Sequence, residues 1–295
     1  MTDSTVIDTT HPEADVPAAD IRLVVLDIDG TIAGSTNQIR PAVKQAVQAL
    51  QQRSVHVAIA TGRMYCSALR FYQELQLTLP LIAYQGAWIQ DPATNLRSHH
   101  LPVPRALALE VLAFLSQPTF QGQLSIHLYI DDVLHVQEIG RDTLDYVARS
   151  GIPAKAIDDF QQVLQTAEAT KILALSNNHR LLEQIWRDLQ QRYPRTDLYL
   201  TRSAESFVEA AHPQVNKGLA VRHLGEEVLG LQPQQIMTIG DNYNDVEMLQ
   251  YAGIGVAMGN APQAVQAIAD WVAPTVEADG VAFAIERYVP SARAR

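Results

Sequence analysis

Two kinds of apolar spacing alternate near the start of the chain. Ile21 to Leu26 is a near-continuous apolar run rich in Val and Ile, the length and composition of a strand buried on both faces. It stops at Asp27-Ile28-Asp29-Gly30. From Pro41, apolar residues recur at Val43, Ala46, Val47 and Leu50, the spacing of an amphipathic helix with proline in its first turn. Val55 to Ala60 is a second run, polar only at His56, and it ends at Thr61-Gly62-Arg63. Tyr65 to Leu77 then suits a helix and Leu81 to Tyr84 a third short strand. This alternation predicts a parallel sheet flanked by helices.

From about Gly86 the pattern changes. Ala87 to Gln90, Leu96 to His100, Leu124 to Ile130 and Val133 to Gln137 read as strands separated by turn residues. Asp131-Asp132 joins the last two so tightly that it predicts an antiparallel hairpin. Pro104 to Leu115 and Asn178 to Arg192 carry helical spacing. After Phe207 to Ala211 the first pattern resumes, with a helix over Lys217 to Val228, a strand over Gln235 to Ile239, a helix over Asp245 to Tyr251, a strand over Gly253 to Ala257, a helix after Pro262 and a short strand at Trp271 to Ala273. The fold class expected is α/β: a Rossmann-like parallel-sheet core, residues 21–85 and 212–290, interrupted by an inserted α+β domain over 86–211. Residues 1–20 mix Asp, Thr, Pro and Ala and read as a solvated, disordered tail.

Composition narrows the function by exclusion. The 295 residues carry 22 Lys and Arg against 32 Asp and Glu, a formal charge of −10, which argues against a surface that coats nucleic acid or anionic membrane. No apolar run approaches the ~20 residues of a membrane span. The only cysteine, Cys66, precludes an intrachain disulfide and a thiol zinc site, and favours a reducing, cytoplasmic setting. Nothing in the chain reports the oligomeric state.

In an open parallel sheet the loops beyond the strand C-termini form the ligand crevice. Here they deliver Asp27 and Asp29, then Thr61-Gly62, then Gly240-Asp241 with Asn244 and Asp245, while Lys217 opens a helix after the insertion. Carboxylates clustered at strand tips suit Mg²⁺ rather than zinc. A hydroxyl, a glycine amide and an ammonium suit phosphate oxygens. An EF-hand is a poorer reading of Asp27 onward, because glycine comes at the fourth position instead of the sixth and Gln38 takes the place of the closing glutamate.

The ordered set Asp27-Ile28-Asp29-Gly30-Thr31, Thr61-Gly62-Arg63, Lys217-Gly218 and Gly240-Asp241-Asn242-Tyr243-Asn244-Asp245 resembles the four motifs of the haloacid dehalogenase superfamily. The position of the insertion is similar to the Cof-like branch with a type IIB cap, as are GIGVAMGNA at 253–261 and ADGVA at 278–282. The resemblance implies a nucleophile, Asp27, that forms an aspartyl-phosphate, and an acid–base, Asp29. It implies Mg²⁺ held by Asp27, the backbone carbonyl of Asp29 and Asp241, with Asp245 steering metal-bound water. The amide of Ile28, Thr61, Gly62, Lys217 and Asn244 would hold the phosphate. The implied activity is hydrolysis of small phosphorylated metabolites, sugar phosphates or phosphorylated cofactors. The alternatives are a phosphotransferase or phosphomutase of the same fold, or an idle phosphate-binding module. One departure stands out: Gln85-Gly86-Ala87 where the branch usually has Asn-Gly-Ala.

Other residues invite plainer readings. Cys66 is expected to be a packed thiol, and His99-His100 face opposite ways and do not chelate one ion. His127 and Tyr129 share a strand face that either lines the substrate side or packs on a helix. Trp88 and Trp186 are expected to serve packing.

Overall fold

A computed structural model of the protein describes residues 20–290; the expected N-terminal tail lies, but for Asp20, outside the described residues. Five parallel strands form one sheet in the order Trp271–Val272, Ile254–Ala257, Ile236–Gly240, Leu23–Leu26, His56–Ile59. Leu23–Leu26 is buried along its whole length, as an inner strand covered on both faces must be. From it the chain runs outward to one side through His56–Ile59 and later to the other through Ile236–Gly240. Leu23 pairs with Ile236 and with His56. The order therefore reverses beside the first strand, and a crevice opens beyond its C-terminal end.

The third strand departs from expectation. Leu81–Ala83 is not a full member of the parallel sheet; a single parallel bridge, Ala60 to Ile82, ties it there. Its hydrogen-bonded partner is Trp88–Asp91, antiparallel, which in turn pairs with Leu96–His100. Tyr84 and Gln85, both left-handed at φ 50° and 61°, turn the chain through a tight 3₁₀ step between the first two of these strands.

The inserted segment builds a second sheet of six strands, in the order Tyr199–Thr201, Phe207–Ala211, Lys171–Leu175, Ser125–Ile130, Val133–Val136, Ala154–Ala156. All neighbours are antiparallel except the last pair. Alternation splits its side chains. Leu128, Ile130, Ile172, Ala174, Val208 and Ala210 pack under the helices Arg105–Leu115, Phe160–Leu164 and His179–Arg192. The opposite face, with Tyr129, Leu173, Leu175 and Phe207, joins a cluster that continues into the parallel-sheet unit through Met64, Tyr65 and Tyr84. An α+β unit is thus inserted into an α/β core.

Several elements have no counterpart in the sequence reading. The helix Arg141–Ser150 buries only Thr143 fully and is mostly polar. The strands Lys171–Leu175, Ala154–Ala156 and Tyr199–Thr201 and the helix Gly280–Tyr288 are likewise additional. The helix expected over Lys217 to Val228 is α-helical for Lys217–Arg222 and widens to a π-helix over His223–Val228.

Candidate active site

The strand ends bring most of the expected site residues together. The backbone N–H of Asp27 donates to Ile239 (3.0 Å), which fixes the first strand tip against its neighbour. Beyond it the Ile28 carbonyl accepts from the amides of Thr31, Ile32 and Ala33, so the segment folds back at once. Gly30 is required there: its φ is +79°, and a Cβ would fall 2.0 Å from the Asp241 carboxylate. Thr61, fully buried, donates its N–H to Ile82, and its carbonyl accepts from Gln85. Asn216 caps the helix Lys217–Arg222 by accepting from Leu219, which sends the lysine inward.

Lys217 is wholly buried and donates to Asp27 Oδ1 (2.5 Å) and Asp245 Oδ1 (2.6 Å). Asp245 uses its other oxygen to accept from the amides of Asp241 (2.8 Å) and Asn242 (3.0 Å). Both its oxygens are thus engaged, and it braces the loop that carries Asp241. One carboxylate oxygen from each of Asp27, Asp241 and Asp245 lies within 4.8 Å of the others. Burial pushes the Asp27 carboxyl up to about 7, against the pull of Lys217, and burial with the neighbouring Asp245 and Asp27 pushes Asp241 up to about 9. Burial opposes the charge on Lys217, yet Asp245 and Asp27 raise its pKa above the ordinary lysine value.

These residues fit a divalent cation. Among the described residues Asp27 accepts only from Lys217, and Asp241 only from Asn260 (3.2 Å) and Thr31 (3.4 Å). Hard oxygens with lone pairs to spare, in a pocket that disfavours two bare carboxylates, suit Mg²⁺. The Asp29 side chain is elsewhere. Arg63 grips it through Nε to Oδ2 and Nη2 to Oδ1, both 2.7 Å. Though its side chain is 60% exposed, desolvation within the crevice would raise the Asp29 carboxyl, but these bonds and the Arg63 charge hold it below the ordinary carboxylate range.

A cavity of about 130 Å³ lies over this group, floored by Asp27, Asp29, Gly62, Asp241 and Asn244. The insert supplies its other wall through Tyr146, Arg149, Lys171 and Phe207. Lys171 reaches from the insert to the Gly62 carbonyl (3.1 Å) while paired with Glu209 (2.8 Å), and Asn242 donates to the Ser203 carbonyl (3.2 Å). Gln85 accepts from Asn244 (3.0 Å) and lies against Gly62, where a Cβ would come within 2.3 Å of its Nε2.

The sequence reading did not single out Arg63, Gln85, Lys171 or Arg149 as site residues. Arg63 and Gln85 stand inside quoted motifs, and Lys171 is a charge opening an otherwise apolar run. Arg149 carries no signal of that kind. Elsewhere, Cys66 is half-buried and its thiol is pushed by burial up to about 12, an inert group. His100 meets Thr170 and the Trp88 ring while His99 stacks on His223, so the pair does face apart. His127 is buried against Thr143 and Tyr146 of the helix Arg141–Ser150, while Lys171, Leu173 and Phe207 on the same sheet face line the cavity, so this face does both. Trp88 and Trp186 pack as expected.

The family described as haloacid dehalogenase-like hydrolase matches residues 24–285. Phosphatase YwpJ of Bacillus subtilis (strain 168) is 28% identical over 288 residues, covering 89% of this chain and 98% of its own. Pyridoxal phosphate phosphatase YbhA of Escherichia coli (strain K12) is 27% identical over 270 residues, covering 88% and 96%. Among solved structures, a haloacid dehalogenase-like hydrolase from B. subtilis superimposes with a TM-score of 0.80 at 26% identity, covering 90% of this chain and 99% of that one.

Proposed function

Because the chain belongs to the haloacid dehalogenase-like hydrolase family and its relatives YwpJ and YbhA are phosphatases, we propose that it is a Mg²⁺-dependent phosphatase of small phosphorylated metabolites working through an aspartyl-phosphate on Asp27. Sugar phosphates and phosphorylated cofactors are the substrate classes; the relative YbhA is a pyridoxal phosphate phosphatase. The observation that carries the proposal is the buried Asp27–Lys217–Asp245 contact beside Asp241 at the strand switch point.

In this reading Asp27 attacks phosphorus, and the bond to the leaving oxygen breaks as Asp29 gives that oxygen its proton. Asp29 then takes a proton from water, which attacks phosphorus and frees Asp27. Asp29 must part from Arg63 to carry that proton, since the pair as seen favours its carboxylate. Thr61, Gly62, Lys217, Asn244 and the Ile28 amide hold the phosphate, and residues 86–211 form the cap that excludes water. Asp27, Asp241 and the Asp29 carbonyl would hold Mg²⁺, with Asp245 bracing the loop that carries Asp241, and the bound ion would neutralise charge on the phosphoryl oxygens. No helix among the described residues is long and apolar enough to cross a membrane; a cytoplasmic location belongs to the same proposal and rests on the lone thiol.

The test is release of inorganic phosphate from a panel of phosphate monoesters, with Mg²⁺ and with chelator. Release from several esters, abolished by chelator and lowered at least about 10³-fold in Asp27→Asn, is expected. Full Mg²⁺-dependent activity in Asp27→Asn would overturn the nucleophile assignment.

A further inference from the structure

The cations at the cavity differ in what they already hold. Lys217 lies between Asp27 and Asp245, Arg63 grips Asp29, and Lys171 is paired with Glu209. Arg149 is different: it lines the same cavity, and among the described residues its guanidinium makes no hydrogen bond or ion pair. Instead it stands over the Phe207 ring, 5.3 Å from guanidinium carbon to ring centroid. Such stacking orients a guanidinium while leaving its N–H groups free for an acceptor.

Its backbone is fixed to the core as well. Asn37 donates to the Arg149 carbonyl (2.8 Å), and Ser67 donates to the carbonyl of Ser150 (2.9 Å). The last turn of the helix Arg141–Ser150 is thus clamped at the cavity mouth by two residues of the parallel-sheet unit. Arg149 is thus an exposed, pre-oriented cation without a hydrogen-bonded partner among the described residues, in the same cavity as the carboxylates, and its charge is felt by Asp29. A planar fork of donors is the group best matched to a carboxylate or a phosphate.

We propose that Arg149 forms a distal-anion subsite, so that the preferred substrates are phosphate monoesters whose leaving portion carries a second anionic group. This rests on the phosphatase reading for where the scissile phosphate lies, at Asp27. In a chain of net charge −10, the far anion of such a substrate is met by this one side chain instead of by the general field.

The experiment is calorimetric binding to Asp27→Asn in Mg²⁺, using matched probes. One pair is 3-phosphoglycerate against glycerol 3-phosphate, which differ by a distal carboxylate; the other is fructose 1,6-bisphosphate against fructose 6-phosphate, which differ by a distal phosphate. In at least one pair the dianchored probe binds about 10- to 100-fold tighter, as expected for one charge-assisted contact, and the pair that shows it identifies the anion. Adding Arg149→Ala brings the ratio to within about threefold of one, and Arg149→Lys retains part of it. A ratio near one in both pairs, no binding of any probe, or a ratio that survives Arg149→Ala would overturn the subsite. Because the ratio is read without turnover, failure of the phosphate-release test counts against the hydrolytic reading alone, and loss of the ratio against Arg149 alone.

Discussion

His127 shows how burial writes a pH dependence into a single side chain. It is wholly buried, Nε2 lies 3.0 Å from the Thr143 hydroxyl, and burial, with the nearby Lys171 charge, pushes its pKa down to about 3 from 6.5. The native imidazole stays neutral where the unfolded chain takes up a proton, so its contribution to stability is complete above about pH 6.5 and falls as the pH drops toward 3. From about pH 7.5 to about 5 the loss is about 2 kcal/mol. His99, His100, His135 and His212 are also lowered by burial, so the measurement is a difference: urea unfolding of wild type should weaken by about 2 kcal/mol more than His127→Gln over that interval. Equal slopes would mean that the ring is hydrated or protonated in the native state. The period of the strand showed in advance that His127 and Tyr129 share a face, but not what covers it. The covering helix buries one residue fully, Thr143, and leaves little periodic apolar signal. The same limit applies to Lys217, which looks like any lysine until the fold brings Asp27, 190 positions away, to its ammonium.

Elements were legible where one face or both are apolar and the turn chemistry is local. Asp131-Asp132 marked a hairpin because both residues take left-handed φ, 47° and 59°, which suits the twist of the flanking strands. Its second role is not local. Asp132 accepts from the amides of Tyr65 (3.0 Å) and Cys66 (2.7 Å), 66 or more positions away, and so caps the helix Tyr65–Glu74; it also accepts from the Tyr84 hydroxyl (2.8 Å). The residue immediately before that helix is Met64, which cannot cap, so the insert supplies what the local sequence lacks. Asp132→Ala should cost about 2–4 kcal/mol in urea unfolding, from a lost cap and a buried hydroxyl left without an acceptor. Asp132→Asn, which keeps an acceptor oxygen, should cost clearly less. Equal losses would assign the effect to the charge rather than to the bonds. Leu81–Ala83 is a strand as its apolar run predicts, but it touches the parallel sheet through one bridge only: a three-residue apolar strand has no feature that tells a parallel from an antiparallel neighbour, and its main partner depends on the left-handed step at Tyr84 and Gln85.

At the scale of the whole molecule the two sheets share what holds them. One apolar cluster runs from Val43 and Phe71 under the parallel sheet to Leu173, Leu175 and Phe207 of the insert. Polar bonds cross the same boundary at Asp132, at Lys171 to Gly62, at Asn37 to Arg149 and at Asn242 to Ser203. Removing the insert would therefore uncover apolar surface on the core and leave buried polar groups without partners. Cooperative unfolding follows, even though the insert has a second apolar cluster of its own beneath its helices. The tryptophans separate the two units: Trp186 packs on the insert's own cluster and Trp271 lies on the edge strand of the parallel sheet. Two variants, each keeping one of these as the sole tryptophan, should give urea transitions with the same midpoint and slope. An earlier Trp186 transition would show that the insert unfolds on a native core, so that the boundary bonds contribute less than the insert's own packing. Coincident transitions in wild type that separate in Asp132→Ala would identify the helix cap as the contact that joins the two units.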